Sequence, residues 1–490
     1  MPELAALTYP TTDSPRLTVR HPLSHAEGFP EDNPWGDRQL AATDDDMSRM
    51  MRQGIPFSTA PGTAYEYSNY GFAILGRIVA RVSGVPYADY VSRQILTPLG
   101  MTATTLEPAS VPRDRLARGY RWEDGGWKEE PPLPDGAFGP MGGMVTSTKD
   151  LARYVGFLMS AWPPRDDPET GPIRRSSARE MQQVWRPSPA VVTRDTVDAP
   201  LRLNTGGYGF GLRVSQTCGI SHQVAHSGGL PGFGSHMRWL PDHGVAFIAM
   251  GNLTYTSWGR VTDDAIDLLA QTGGLQARLP QPSPALLDAR DGVNRLLGAW
   301  DDGLADRLAA DNLFLDRSKA ARKQGFGTVR AELGVCRPAG ELAPENALRG
   351  RWTLACERGT LNVAVTLAPT VPPKVQFLEV VTTTPLGPLL APVVTRIAGL
   401  IGAQKPAGAA LASMLAPAAD AAGAGRQIDA ASAWGTCAVG EVIRGGGELS
   451  ARVRLVCTRG HLDLTVRRDV PGGRLTLLRL EPSGDRTCGQ

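Results

Sequence analysis

No stretch of this sequence reaches the roughly 20 consecutive apolar residues that a membrane-spanning helix needs, so no transmembrane segment is expected. Charge of one sign is missing as well. The 51 Lys and Arg stand against 49 Asp and Glu for a formal net charge of +2, and the basic residues are scattered among carboxylates, which argues against nucleic acid as a partner. Residues 1–16 hold Glu3 and Asp13 and lack the apolar run of a secretory leader. Histidine is scarce, 7 in 490 residues; His21 and His25 are four apart, but no third ligand follows at zinc spacing. A packed helix start is the better reading, and neither a metal nor another cofactor is expected.

The composition that remains, 42% hydrophobic and 20% charged, is that of a globular chain, and 490 residues imply two or three domains. From Leu17 to Thr272 helical patterns alternate with short apolar strands and Gly/Pro turns, as in one mixed domain. Phe72, Leu75, Val79 and Val82 share a helical face over 71–82, and Gly84 follows where a left-handed cap belongs. Leu151, Tyr154, Val155 and Leu158 form a second helix after Ser147-Thr148-Lys149-Asp150, a Ser-x-x-Asp capping box. The segments 237–240 and 245–250, joined by Pro241-Asp242-His243-Gly244, read as a hairpin.

Three prolines among small residues in 276–284 mark a linker, beyond which the cysteines expose an internal repeat. Cys336 and Cys356 are 20 apart, as are Cys437 and Cys457, and Leu354-Ala355-Cys356-Glu357-Arg358-Gly359 parallels Leu455-Val456-Cys457-Thr458-Arg459-Gly460. Alternating Leu361, Val363, Val365 and Leu462, Leu464, Val466 predict a strand after each second cysteine, and an Ala/Leu-rich helix precedes each first one. Recurrence of the pairs predicts two disulfides, Cys336–Cys356 and Cys437–Cys457, and hence a periplasmic or secreted location for the full-length protein. Cys218 and Cys488 carry no motif. The expected division is 1–275, a first α+β repeat over 285–384 and a second over 385–490.

Candidate chemistry lies in the first region. In an extended or turn-like Tyr67-Ser68-Asn69, residues two apart face the same way, so the Tyr67 hydroxyl and the Asn69 amide can point into one cleft, one moving a proton and the other holding a substrate carbonyl. A phenol ionises near pH 10, so Tyr67 as a base needs a cation nearby. His226-Ser227-Gly228-Gly229 suits a sheet edge along which an extended acyl chain can lie, with glycine keeping the approach clear.

The run Leu17 to Pro30 (LTVRHPLSHAEGFP), Pro61-Gly62 through Tyr67-Ser68-Asn69-Tyr70-Gly71, Pro98-Leu99-Gly100-Met101, Gly142 to Ser147 and His226-Ser227-Gly228-Gly229 resemble, in order, blocks of the serine β-lactamase and penicillin-binding-protein family. That resemblance implies an antiparallel sheet flanked by helices, here followed by the two repeats, and acyl transfer on a small peptide, amide or ester. It makes Tyr67 the proton-transfer group, Gly229 N–H an oxyanion-hole donor, and Asn69, Ser227 and Gly228 substrate contacts. His226 stands where the family has Lys or His; its lack of a permanent charge tilts the substrate away from β-lactams. The family's nucleophile is a Ser-x-x-Lys at a helix start, upstream of the block that begins at Leu17, and no serine here has lysine three residues on. N-terminal truncation and an inactive chain are therefore the expectation. The alternative is a non-catalytic binding or scaffold relative.

Overall fold

The computed structural model describes the chain except for residues 6, 34, 195–200, 404–407 and 484–490, so Cys488 lies outside the described residues. Two compact units are distinguished, Met1–Val197 with Arg202–Arg278 and the part from Leu279 onward.

The first unit is α+β. Its strands β3 (Arg186–Thr193), β4 (Arg202–Tyr208), β5 (Arg213–Thr217), β6 (Gln223–Leu230), β7 (Phe233–Leu240) and β8 (Val245–Gly251) form one antiparallel sheet in sequence order, and a separate hairpin pairs β1 (Gly119–Glu123) with β2 (Gly126–Glu130). The hairpin expected at 237–250 is β7–β8, Leu240 facing Val245 across the turn. Successive residues of a strand point to opposite faces, and β7 uses both. Trp239 packs with Val155 and Leu158 of α3 (Thr148–Met159), whereas Leu240 packs with Ile266 of α5 (Gly259–Gln271). Helices therefore cover both sides. The buried Trp239 indole donates to Gln182 Oε1 at 2.9 Å, and the Gln182 amide donates to the carbonyls of Leu158 and Ala178, tying α3 and α4 (Arg175–Met181) to the sheet without an orphaned donor.

Two local expectations change in the folded chain. Ser147 does cap α3, accepting Asp150 N–H at 3.2 Å, but Asp150 does not return the bond. Its carboxylate accepts instead from Ala103 N–H at 2.7 Å and Thr104 Oγ1 at 2.9 Å, so a residue read as half of a capping box fastens a distant loop. The second change concerns α2 (Asn69–Ser83). It forms where expected and ends at Gly84 with φ 75°, but its buried face carries Tyr70, Ala73 and Ile74, packed with Phe29, Met47, Met51 and Phe138, the two methionines coming from α1 (Asp44–Gln53). Val82 is 84% exposed. Small residues set this orientation: a Cβ on Gly76 would lie 2.0 Å from the Pro140 ring, and one on Gly71 would lie 2.2 Å from Glu27 Oε1.

In the second unit the expected strands appear, but the two halves share one sheet. Along the path β10 (Ala343–Asn346), β11 (Arg349–Cys356), β12 (Gly359–Leu367), β13 (Val375–Leu386), β14 (Cys437–Gly447), β15 (Ser450–Cys457), β16 (Gly460–Arg468) and β17 (Leu475–Pro482), all neighbours are antiparallel except β13 and β14. Those two are parallel, Thr383 facing Gly445 and Leu386 facing Gly447. Leu361, Val363 and Val365 are buried under α6 (Pro284–Gly298) and α7 (Lys319–Leu333), and Leu462, Leu464 and Val466 under α8 (Ala391–Leu400) and α9 (Ala421–Ala431). Both disulfides form. Cys356 faces Cys336 of β9 (Cys336–Pro338) and Cys457 faces Cys437, each pair directly opposite on neighbouring strands with Cα atoms 3.9 Å apart, closer than the usual range of about 4.4–6.8 Å. Cys218 is also disulfide-bonded. Replacing either repeat pair by serines is expected to destabilise the protein by about 3 kcal/mol, the loop-closure value for a loop of this size. Urea unfolding measures it; an unchanged midpoint would contradict the account.

Candidate active site

His25 is the hub of the site, and sequence reading valued it only as part of a packed helix start. The turn after Ser24 brings it beneath residues 65–72 with φ 50°, where its carbonyl accepts Glu66 N–H at 2.9 Å and its Nδ1 accepts Ser68 N–H at 3.1 Å. Its ring centroid lies 4.2 Å from that of Tyr67, 4.6 Å from Tyr208 and 4.9 Å from Phe72. Burial, then the neighbouring His226 and Arg213, pull its ionisation down to about 3, so the ring is neutral and Nε2 carries the proton.

The Tyr67-Ser68-Asn69 turn is held from the other side by Asp32, whose two carboxylate oxygens accept Asn69 N–H and Tyr70 N–H, each at 2.7 Å. Ser68 Oγ accepts Gly71 N–H at 3.1 Å. Together these satisfy the first turn of α2 and place negative charge at its positive end. The two residues expected to share a cleft part company here. Tyr67 lies against His25 and toward β6, whereas Asn69 is buried and its amide donates to Asn33 Oδ1. The cause is that Asn69 is already the first residue of α2, so extended-chain alternation stops between them.

His226 is brought to Tyr67, with ring centroids 6.3 Å apart. Its Nε2 is 2.9 Å from the Tyr208 hydroxyl. Burial and Arg213 lower its ionisation to about 4, so it is neutral at physiological pH. Ser227, next along β6, turns to the other face and meets His236 Nδ1 at 2.8 Å. Gly228 is exposed. Gly229 is crossed by the Tyr255 ring, which a Cβ would approach to 2.7 Å, and the Tyr255 hydroxyl donates to Asp37 Oδ2 at 2.9 Å. Tyr255 thus joins the Gly229 strand to the short helical turn Gly36–Arg38 that carries Asp37. Nothing in its sequence neighbourhood signals this.

Tyr67 is not a phenolate here. Burial and the adjacent Tyr65 raise its ionisation well above the ordinary value, and Arg213 offsets only part of that. Arg213, on β5 facing Ala225 of β6, is exposed and lies 5.8 Å from the Tyr65 ring centroid. It supplies the fixed cation that the residue at 226 does not, and no motif pointed to it. Among the described residues no cluster suited to a metal ion is present.

Compared with known proteins, the chain is 26% identical over 250 residues to penicillin-binding protein 4* of Bacillus subtilis, covering 48% of this chain and 51% of that one. It is 26% identical over 252 residues to an unguisins hydrolase of Aspergillus campestris, covering 50% and 44%. The chain spans about half the length of these curated relatives. Among solved structures, the octameric penicillin-binding protein homologue from Pyrococcus abyssi aligns over 96% of this chain and 78% of its own, with 14% identity and a TM-score of 0.45. The model of the β-lactamase family matches residues 5–272, more than half of the sequence, and the chain belongs to that family.

Proposed function

We propose that the first unit carries the proton-transfer and substrate-binding half of a serine hydrolase that cleaves small peptides, amides or esters through an acyl-enzyme. The observation that carries this reading is the approach of Tyr67 to His226 on a strand whose next residues, Ser227-Gly228, are open to solvent. An acyl chain laid along β6 would place its carbonyl between Gly229 N–H and Tyr67. Attack needs a serine paired with a lysine, and the 490 residues hold no Ser-x-x-Lys. A lysine beside Tyr67 would also add the cation its phenol lacks. By itself the chain is therefore expected to be inert toward a fluorophosphonate or penicillin probe, whereas a polypeptide joining it to an upstream Ser-x-x-Lys helix should be labelled and turn over D-aminoacyl amides or esters. Specific labelling of a serine in the cleft of the present chain would overturn this.

Arg213 bears on substrate class. With His226 neutral, Arg213 is the permanent charge available to a substrate carboxylate. In the active polypeptide, Arg213→Gln is expected to raise KM for peptides ending in a free carboxylate roughly 10- to 100-fold, the value of a charge-assisted hydrogen bond, and to leave the corresponding amides unchanged. Equal loss on both would remove Arg213 from substrate binding. The two disulfides of the second unit support an oxidising location, periplasmic or secreted, for the whole protein.

A further inference from the structure

Tyr208 closes β4 and is 1% exposed, its ring packed among those of His25 at 4.6 Å, Tyr65 at 5.5 Å and Tyr67 at 6.5 Å. Its hydroxyl makes one hydrogen bond among the described residues, to His226 Nε2 at 2.9 Å. Two proton arrangements fit that distance. In one, Nε2–H donates to the phenol oxygen, which leaves the buried Tyr208 O–H with no acceptor. In the other, Tyr208 O–H donates to the Nε2 lone pair, which satisfies the buried hydroxyl, and the imidazole proton then resides on Nδ1.

We infer that Tyr208 is a positioning residue for the site: its hydroxyl holds the His226 ring in the Nδ1–H tautomer and keeps Nε2 occupied as an acceptor. His226 therefore enters the cleft as an oriented neutral group. It neither grips an anion as a cation nor takes a proton from substrate at Nε2, and the proton shuttle is left to Tyr67. The surroundings favour this state. Burial keeps the Tyr208 phenol protonated and the imidazole neutral, and the charged or titratable groups around His226, namely Arg213, His236, His25 and Tyr67, offer no carboxylate to draw a proton onto it.

The catalytic consequence rests on the proposed function, but the tautomer can be read in the present chain without substrate, so the two fail separately. Two-bond proton–nitrogen correlation spectra of uniformly labelled protein at neutral pH distinguish the tautomers of each histidine, and disappearance of one set in His226→Gln assigns it. The wild type should show the Nδ1–H pattern for His226. Tyr208→Phe, which keeps the ring and deletes only the hydroxyl, should lose that pattern in favour of Nε2–H or an averaged ring. An Nε2–H pattern in the wild type would overturn the inference, and so would an unchanged Nδ1–H pattern in folded Tyr208→Phe. Should the variant fail to fold, the wild-type spectrum alone decides.

Discussion

Tyr67→Phe, in a polypeptide that unites this chain with Ser-x-x-Lys, is expected to lower kcat by about 10²–10⁴-fold with little change in KM, the usual value of a positioned proton-transfer group. The ring itself is retained by the substitution. Its packing on His25, 4.2 Å between centroids, and the helix cap made by Ser68 Oγ do not involve the Tyr67 hydroxyl, so binding and stability should survive. Steady-state kinetics on an amide and on an activated ester check the result. A rise in KM with kcat unchanged would make Tyr67 a substrate contact and take it out of the chemical step. The phenol of the present chain is far too weak an acid to serve as base at neutral pH. Activity should therefore appear only when a cation lies beside it, and a lysine that restored labelling without restoring Tyr67 dependence would contradict the assignment.

Glu27→Gln should make the protein more stable at alkaline pH. Glu27 is fully buried, among the described residues neither carboxylate oxygen has a hydrogen-bond partner, and burial raises its ionisation from 4.5 to about 8. Because the folded state holds the proton more tightly than the unfolded chain, the ionisation of this residue withdraws no stability below about pH 4.5. Its penalty grows as pH rises, reaching on the order of 5 kcal/mol above pH 8. Glutamine keeps the shape and removes the charge. Thermal unfolding of both proteins from pH 5 to 9 should give curves that converge at the acid end and diverge at the alkaline end; parallel curves would show that Glu27 finds a partner in solution. His25 acts in the opposite direction. Lowered from 6.5 to about 3, it withdraws stability as pH falls below 6.5, by roughly 2 kcal/mol at pH 5, so acid loss should be steeper in wild type than in a variant lacking that imidazole.

Much of this architecture was readable from local pattern. Alternating Leu462, Leu464 and Val466 specify a strand with one buried face whatever surrounds it, Gly84 specifies the end of α2, and the equal spacing of two cysteine pairs specifies two disulfides. Such features depend on a few neighbouring residues, which a sequence displays directly. Where several local solutions are equivalent, only tertiary structure decides. The helix over Asn69–Ser83 is apolar on more than one side, so periodicity could not choose between the Phe72–Val82 face and the Tyr70–Ile74 face; close approach at Gly71 and Gly76 chose. The parallel pairing of Thr383 with Gly445 joins two segments 62 positions apart by backbone hydrogen bonds, which leave no residue signature. The site divides along the same line. Tyr67 and the 226–229 strand belong to contiguous motifs, whereas His25, Tyr208, Arg213 and Tyr255 act through neighbours remote in sequence, and their chemistry exists only where the fold brings those neighbours within a hydrogen bond or a ring contact.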